Sequence, residues 1–274
     1  MNRLQNLHTH TRYCDGADAP GALLDAAIGM GFESVGFSGH SWMDFAPDHS
    51  MSLPGTEEYK EEILRLKEAY AGRIGVFLGL EMEMYSPITP EGYEYLIGSS
   101  HYFDFHGRKV GFDRSAKVVS QVIDECFGGD GMKYAQEYYR NLARLPEYGD
   151  FDIIGHFDLI TKHSENEDFF DTSSDVYREA AVTCAEALRG KIPYFEVNTG
   201  AIARGYRTTP YPDPFILKTM KRLGFGAVIS SDCHNREDLG RAFPLAAQLL
   251  KEAGFTERYI LTDAGFVPVP LEDE

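Results

Sequence analysis

Short strand-like runs alternate with longer stretches in which apolar residues recur every three or four positions, along nearly the whole chain. Seven such runs stand out, at 4–10, 34–40, 75–84, 95–102, 151–157, 194–198 and 227–231, and their length and composition predict β-strands. Between them, the alanine- and leucine-rich stretch 20–30 predicts a helix ended by Gly31. A second helix begins near Thr56 as N-cap, with Glu57 and Glu58 in its first turn and Tyr59, Ile63, Leu66 and Tyr70 on one face. Helices over 115–127 and 132–145 are separated by Gly128-Gly129-Asp130-Gly131, and another covers 174–189 up to Gly190. Asp213-Pro214 opens a helix that closes at Gly224, with proline at its start and glycine at its end. A last helix spans 236–253, and 268–274 reads as surface coil. No repeat, low-complexity tract or long linker divides the chain, so one domain over 1–274 is expected.

Strand followed by helix, repeated in this way, predicts an α/β fold with a mostly parallel sheet, either open or closed into a barrel. The polar residues decide between the two. His10, His40, Glu81, His101, His156 and the pair Asp232/His234 each fall at or just past the C-terminal end of an expected strand. A barrel gathers those ends at one mouth, whereas an open sheet spreads them along an edge. The first strand is also not followed by a glycine-rich phosphate loop. The barrel is therefore expected.

Composition narrows the setting. With 43% hydrophobic and 25% charged residues among 274, the chain has the make-up of an ordinary globular protein. No apolar run is long enough for a membrane span, and the first residues lack the apolar core of a secretory signal. Cys14, Cys126, Cys184 and Cys233 show no CxxC spacing and read as free thiols of a reducing cytoplasm. A formal charge of −17 disfavours a nucleic-acid or anionic-membrane surface. It does not exclude a small phosphorylated substrate, because bound cations can reverse the local field.

The polar residues at the strand ends are those a metal centre uses. In His8-Thr9-His10, alternation along a strand turns both imidazoles to one side, and Asp15 can add a carboxylate from the following loop. Asp232-Cys233-His234 repeats that geometry. Glu81 and Glu83 alternate with Met82 and Met84, so a glutamate must face the barrel interior, where an unpaired carboxylate is costly and a metal removes the cost. Glu81, nearer the strand, is the expected ligand, and Glu83 is expected to support it or to be solvated. Six of the nine histidines lie at strand ends, leaving His49, His106 and His163 to loops.

His8-Thr9-His10 with Asp15-Gly16, Gly39-His40-Ser41, Gly79-Leu80-Glu81, Ser100-His101, Gly155-His156-Phe157-Asp158 and Ser231-Asp232-Cys233-His234 together resemble the polymerase-and-histidinol-phosphatase (PHP) superfamily over essentially the whole chain. The stretch Glu196-Val197-Asn198-Thr199-Gly200 through Arg204-Gly205 is similar to its histidinol-phosphate phosphatase branch. The resemblance implies a distorted (β/α)7 barrel and three metal sites. His8, His10, Glu81 and Asp232 would hold one ion. Glu81 would bridge to a second, with His101 and His156, while Asp15, His40 and His234 would hold the third. Many relatives carry histidine where this chain has Asp15; the phosphatase branch tends to carry aspartate. The nitrogen and oxygen donors suit divalent zinc, iron or manganese without choosing among them.

Formal charges fit a phosphomonoester. Three divalent ions contribute about six positive charges, from which three carboxylates and a bridging hydroxide leave roughly two, matching a phosphate dianion. The ions would lower the pKa of a bridging water and hold the nonbridging oxygens during in-line displacement. Asp232 is the expected proton relay to the leaving alkoxide, with His234 as the other candidate. Arg204 and Lys162 are expected to hold phosphate from the rim. His106 and the acidic loop 165–168 are weaker candidates for the substrate's imidazole and ammonium. The resemblance thus implies hydrolysis of L-histidinol phosphate in histidine biosynthesis. The alternatives are a phosphoesterase of the same type acting on a nucleotide, a nucleic-acid end or another small phosphomonoester, and a metal-binding module without catalysis. A complete ligand set argues against the last.

Overall fold

A computed structural model describes residues 3–271. The chain runs through β1 (Gln5–Asn6), α1 (Pro20–Gly29), β2 (Ser34–Phe37), α2 (Leu53–Ala69), β3 (Gly75–Glu83) and β4 (Tyr95–Ser99). A hairpin, β5 (Tyr102–Phe105) and β6 (Arg108–Gly111), precedes α3 (Ala116–Phe127) and α4 (Gly131–Leu142). Then come β7 (Ile153–Ile154), α5 (Asp175–Leu188), β8 (Tyr194–Asn198), α6 (Gly200–Ala203), α7 (Pro214–Leu223), β9 (Gly226–Ser230) and α8 (Phe243–Glu252). A second hairpin, β10 (Glu257–Thr262) and β11 (Gly265–Pro270), follows.

Seven parallel strands are hydrogen-bonded in the order β1-β2-β3-β4-β7-β8-β9. The ladder does not run from β9 back to β1. Closure comes instead from a parallel bridge between Thr9 and Cys233, with His10 N donating to Cys233 O at 2.9 Å. The Asn6 side chain completes it, donating to Ser231 Oγ at 2.7 Å and accepting from Ser231 N at 3.1 Å. The result is the distorted seven-stranded barrel that the resemblance implied, built on the seven strand-like runs read from the sequence.

Side chains alternate along the strands, and the two faces have different chemistry. Val76, Leu78, Leu80, Met82 and Met84 pack outward with the helices in the main core. Leu7, Phe77, Tyr95, Ile97, Ile153 and Val228 form a separate inner cluster with Leu261 of β10. Further toward the C-terminal strand ends the buried polar residues Glu81, Ser99, Glu196, Asn198 and Ser230 replace them on the same strands. The barrel interior therefore changes from apolar to carboxylate-bearing along its length. Tyr95 fills the apolar part, its hydroxyl donating to Leu7 O at 2.5 Å. Gly36 and Gly79 make room for it, since a Cβ at either would come within 2.3 or 2.2 Å of the tyrosine.

Several expectations are corrected in detail. The first and fifth runs shrink to two-residue ladders because side chains take the backbone amides next in line. Asn6 Oδ1 accepts from His8 N, Ser38 Oγ from Thr9 N, and Glu196 Oε1 from His156 N at 2.6 Å. The run 95–102 splits, its end belonging to the β5–β6 hairpin. Helix α2 is capped by Ser52, which accepts from Gly55 N at 3.0 Å, while Thr56 lies inside the helix; Pro54 is readily accommodated in that first turn. The stretch 236–253 is a 3-10 turn, Arg236–Asp238, followed by α8, with Ala242 at a φ of 58° between them. Most of the expected C-terminal coil is strand β11, and 272–274 lie outside the described residues. Among the described residues no helix is long and apolar enough to cross a membrane.

Candidate metal centre

All nine residues expected as ligands meet at the C-terminal mouth of the barrel. They form three groups whose donor atoms lie within 4.8 Å of one another: His10, Asp15, His40 and His234; His8, His10 and Asp232; Glu81, His101 and His156. Glu81, 1% exposed, stands between them. Its Oε2 lies 2.8 Å from His40 Nδ1, 3.2 Å from His8 Nε2 and 3.5 Å from His10 Nε2. Its Oε1 lies 2.9 Å from His156 Nε2 and 3.5 Å from His101 Nε2. His10 also belongs to two groups, which the sequence did not suggest.

Three of these atoms test whether a cation fits. His8 Nε2, His10 Nε2 and Glu81 Oε2 are buried and converge, yet have no hydrogen-bond partner among the described residues. Unsatisfied buried nitrogen and oxygen atoms aimed at one point are costly unless something positive sits among them. The donor set is imidazole and carboxylate, which suits a divalent transition metal. Cys14 Sγ, although 3.5 Å from His10 Nδ1, joins none of the groups.

Without ions, protons take on part of the role. Burial pushes His40 down, but Glu81 and then Asp15 outweigh it and raise the imidazole to about 9. His101 is likewise raised to about 9 against burial, by Glu81 and by a hydrogen bond to Glu83. His8 is raised well above its ordinary value, burial being overcome by Glu196, Glu81 and Asp232. His10 goes the other way, to about 3, because burial and the neighbouring His234 and His40 all disfavour a charge there. Glu81 and Asp232 are held ionised despite burial, chiefly by His40 in the first case and by Arg204 in the second.

A supporting layer fixes the rings. Glu196, fully buried on β8, accepts from His8 Nδ1 at 2.9 Å and from Ser230 Oγ at 2.5 Å. Such a carboxylate selects the tautomer of His8 that leaves Nε2 free as a ligand. Glu83 is buried, not solvated, and holds His101 at its backbone N (2.8 Å) and Nδ1 (3.2 Å). It faces the same side as Glu81 because the two are separated by one residue. Ser99 Oγ donates to Glu81 Oε1 at 2.7 Å. Glu196 was quoted above only as part of a motif; its place beside Asn198 on the inward face of a strand was the available signal.

The expected phosphate ligands line the same cavity, of about 410 Å³. Arg204 is not a free rim residue: its side chain is 33% exposed and donates to Asp232 Oδ2 at 3.0 Å and Asp232 O at 2.9 Å. Lys162 Nζ donates to Asp113 O at 2.7 Å. The suggested imidazole and ammonium contacts do not lie there. His106 is at the exposed tip of the β5–β6 hairpin, with a φ of 53°, and Glu165 accepts from Thr208 N at 2.8 Å. Neither lines the cavity. His163 is used structurally, bonded to Arg114 O at 2.7 Å, and His49 meets Arg114 at 3.0 Å beside the mouth.

Comparison with known proteins gives concordant results. A family model described as PHP domain matches residues 6–200. The chain is 28% identical to a probable histidinol-phosphatase of Deinococcus radiodurans, over 93% of this chain and 95% of that protein. It is 26% identical to a probable histidinol-phosphatase of Schizosaccharomyces pombe, over 91% and 86% respectively. Among solved structures, the fold is similar to histidinol phosphate phosphatase from Lactococcus lactis, complexed with zinc, L-histidinol and phosphate; the TM-score is 0.74 at 20% identity, covering 97% of this chain and 99% of that one.

Proposed function

The chain belongs to the PHP domain family, and on that premise we propose that it is a metal-dependent phosphomonoester hydrolase that converts L-histidinol phosphate to L-histidinol and phosphate, in histidine biosynthesis. One observation carries the proposal. Three groups of imidazole and carboxylate donors surround the buried Glu81 in the same cavity that Arg204 and Lys162 line. The curated relatives, matched over most of their length, carry histidinol-phosphatase names, which supports this substrate over a nucleotide or nucleic-acid end. The formal charge of −17 points the same way.

The proposed ligands are His8, His10, Glu81 and Asp232 for one ion, Glu81, His101 and His156 for a second, and Asp15, His40 and His234 for a third. Zinc is supported by the L. lactis relative, whose structure holds it; iron and manganese suit the same donors. Bound divalent ions supply an activated water nucleophile at neutral pH and neutralise the phosphoryl oxygens. The remaining roles fall to the chain. Arg204 and Lys162 orient the phosphate dianion, the guanidinium being held in place by Asp232. Asp232 turns Oδ2 to Arg204 and Oδ1 toward His10 and His8, so Oδ1 is the atom that receives the proton of the attacking water. Asp232 would pass that proton on to the leaving alkoxide, with His234, its side chain 27% exposed against 8% for Asp232, as the other candidate for that transfer. We propose one domain over 1–274, because β9, Asp232 and His234 lie beyond the stretch that the family model matches. A cytoplasmic location is consistent with the four free cysteines.

Protein stripped with a chelator should lose hydrolysis of histidinol phosphate and regain it on titration with zinc or manganese. Metal analysis of protein purified without chelator should give more than two equivalents per chain, because nine donor residues exceed what one site uses. Full activity after exhaustive stripping overturns metal dependence, and a reproducible value near one equivalent with full activity overturns the three-ion arrangement.

A further inference from the structure

One candidate ligand stands where no strand ladder supports it. The parallel strand β4 ends at Ser99 and the hairpin begins at Tyr102, so Ser100 and His101 turn the corner between two sheets. Helix α4 meets this corner with a single amide. Asn141 is 4% exposed, on a buried face whose other members are Gly131, Ala135, Leu142 and three tyrosines, where an unpaired amide would be costly. It is fully paired. Nδ2 lies 2.9 Å from Ser100 Oγ, 2.8 Å from Tyr102 O and 3.1 Å from Met84 Sδ, and its two protons go to the oxygens, the better acceptors. Oδ1 accepts from Tyr85 Oη at 2.6 Å. The Tyr102 carbonyl can only accept, which fixes the orientation of the amide. Both neighbours of His101 in the chain are therefore tied to one side chain from outside the barrel.

Resting on the metal centre proposed above, we infer that Asn141 is a positioning residue for His101, and that through it the ion assigned to Glu81, His101 and His156 is retained. Glu83 holds the ring and amide of His101, and Phe112 N donates to its carbonyl at 2.7 Å. Those contacts link His101 to β3 and to the segment after the hairpin. Asn141 adds the link to the helical layer, through Ser100 on one side and Tyr102 on the other. A metal ligand has to stay within about 0.5 Å of its place, so a corner free to pivot about His101 lowers affinity even when the ligand itself is intact. Asn141 makes no contact with the imidazole and acts only through the chain on either side of it. The effect is selective by position. The other two proposed ions take their ligands from β3 and from the segments after β1, β2 and β9, none of which this amide touches.

The test uses zinc-loaded protein and a chromogenic chelator that reports each equivalent released. Asn141→Leu keeps the branching of the side chain and the helix but removes both donors. It is expected to hold one equivalent ~10- to 100-fold more weakly than the wild type, the usual cost of a lost outer partner, while the others leave as before. In a His101→Ala background the same substitution should change zinc release no further. Hydrogen exchange in the stripped variant should quicken over 99–103 and stay unchanged in β8 and β9. Tyr85→Phe, which removes only the bond to Oδ1, should release zinc as the wild type does. A lower Tm with unchanged zinc release, a weakening of every equivalent alike, or an equal loss in Tyr85→Phe would mean a packing role and overturn the inference. Should Asn141→Leu fail to fold, Ser100→Ala removes one of the two acceptors and should weaken one equivalent in the same way; unchanged release there also overturns it. Zinc release needs no substrate, so failure of histidinol phosphate as substrate leaves the result standing, whereas a protein that binds no zinc overturns the metal centre and the inference together.

Discussion

Replacing Glu81 by glutamine is the most informative single change, because both carboxylate oxygens are in use. Oε2 lies within 2.8–3.5 Å of His40, His8 and His10, and Oε1 within 2.9–3.5 Å of His156 and His101. Glutamine keeps the volume but removes the charge and presents an N–H₂ to one set of imidazoles. In metal-free protein, the rise of His40 and His101 from 6.5 to about 9 has Glu81 as its largest favourable cause and corresponds to about 3 kcal/mol for each ring. With that charge gone, burial prevails and both rings lose their protons well below pH 7. In the proposed arrangement Glu81 serves two ions, so metal content should fall by about two equivalents per chain. His40→Asn should cost about one. Activity in Glu81→Gln should fall by at least ~10²-fold, since loss of a residue that merely orients a ligand costs up to that much. The assays are elemental analysis and steady-state kinetics on the same preparations, with imidazole NMR of the stripped protein. Equal single-ion losses in the two variants would refute the shared position of Glu81, and unchanged metal content would remove it from the centre.

Other outcomes follow from the same geometry. Arg204→Met should lower kcat/KM by ~10²-fold or more, and because it frees Asp232 Oδ2 it should also loosen metal retention; Arg204→Lys should recover only part, lacking the planar fork, and wild-type kinetics in Arg204→Met would exclude the residue from the site. Zinc binding at pH 7.5 should release at least two protons per chain, because His40 and His101 are protonated below about 9 in the stripped protein; calorimetry in buffers of different ionisation enthalpy would contradict this by showing none. The same raised values stabilise the stripped fold fully below 6.5 and are lost as pH rises through about 9, so its Tm should fall over that window while that of loaded protein does not. Gly79→Ala places a Cβ 2.2 Å from the Tyr95 ring and should destabilise by about 1–3 kcal/mol or more in chemical denaturation; unchanged stability would show that Tyr95 does not fill the barrel.

The barrel and its cluster of candidate ligands were legible because both repeat. Strand and helix alternate along the chain, and His10, His40, Glu81, His101, His156 and Asp232/His234 each recur near a strand's end, so their convergence follows from the topology. What was hidden depends on contacts between distant residues. The shortness of β1 and β7 arises where Asn6, Ser38 and Glu196 side chains capture backbone amides, which no local pattern announces. The β5–β6 hairpin was missed, its first residue Tyr102 being read as the end of the fourth run because it continues that run's apolar character. Arg204 read as a rim cation because nothing near it in sequence reveals its pairing with Asp232, 28 residues away. The contact between Lys162 and Asp113, 49 residues apart, was invisible for the same reason.

The central claim is best tested by phosphate release from L-histidinol phosphate by metal-loaded protein, measured beside a panel of sugar phosphates, nucleotides and 5′-phosphorylated oligonucleotides. The account predicts that histidinol phosphate has the highest kcat/KM of the panel, within the ~10⁴–10⁸ M⁻¹ s⁻¹ span usual for enzymes on their own substrates, and that this activity disappears on chelation. A nucleotide or oligonucleotide turned over faster than histidinol phosphate would contradict it.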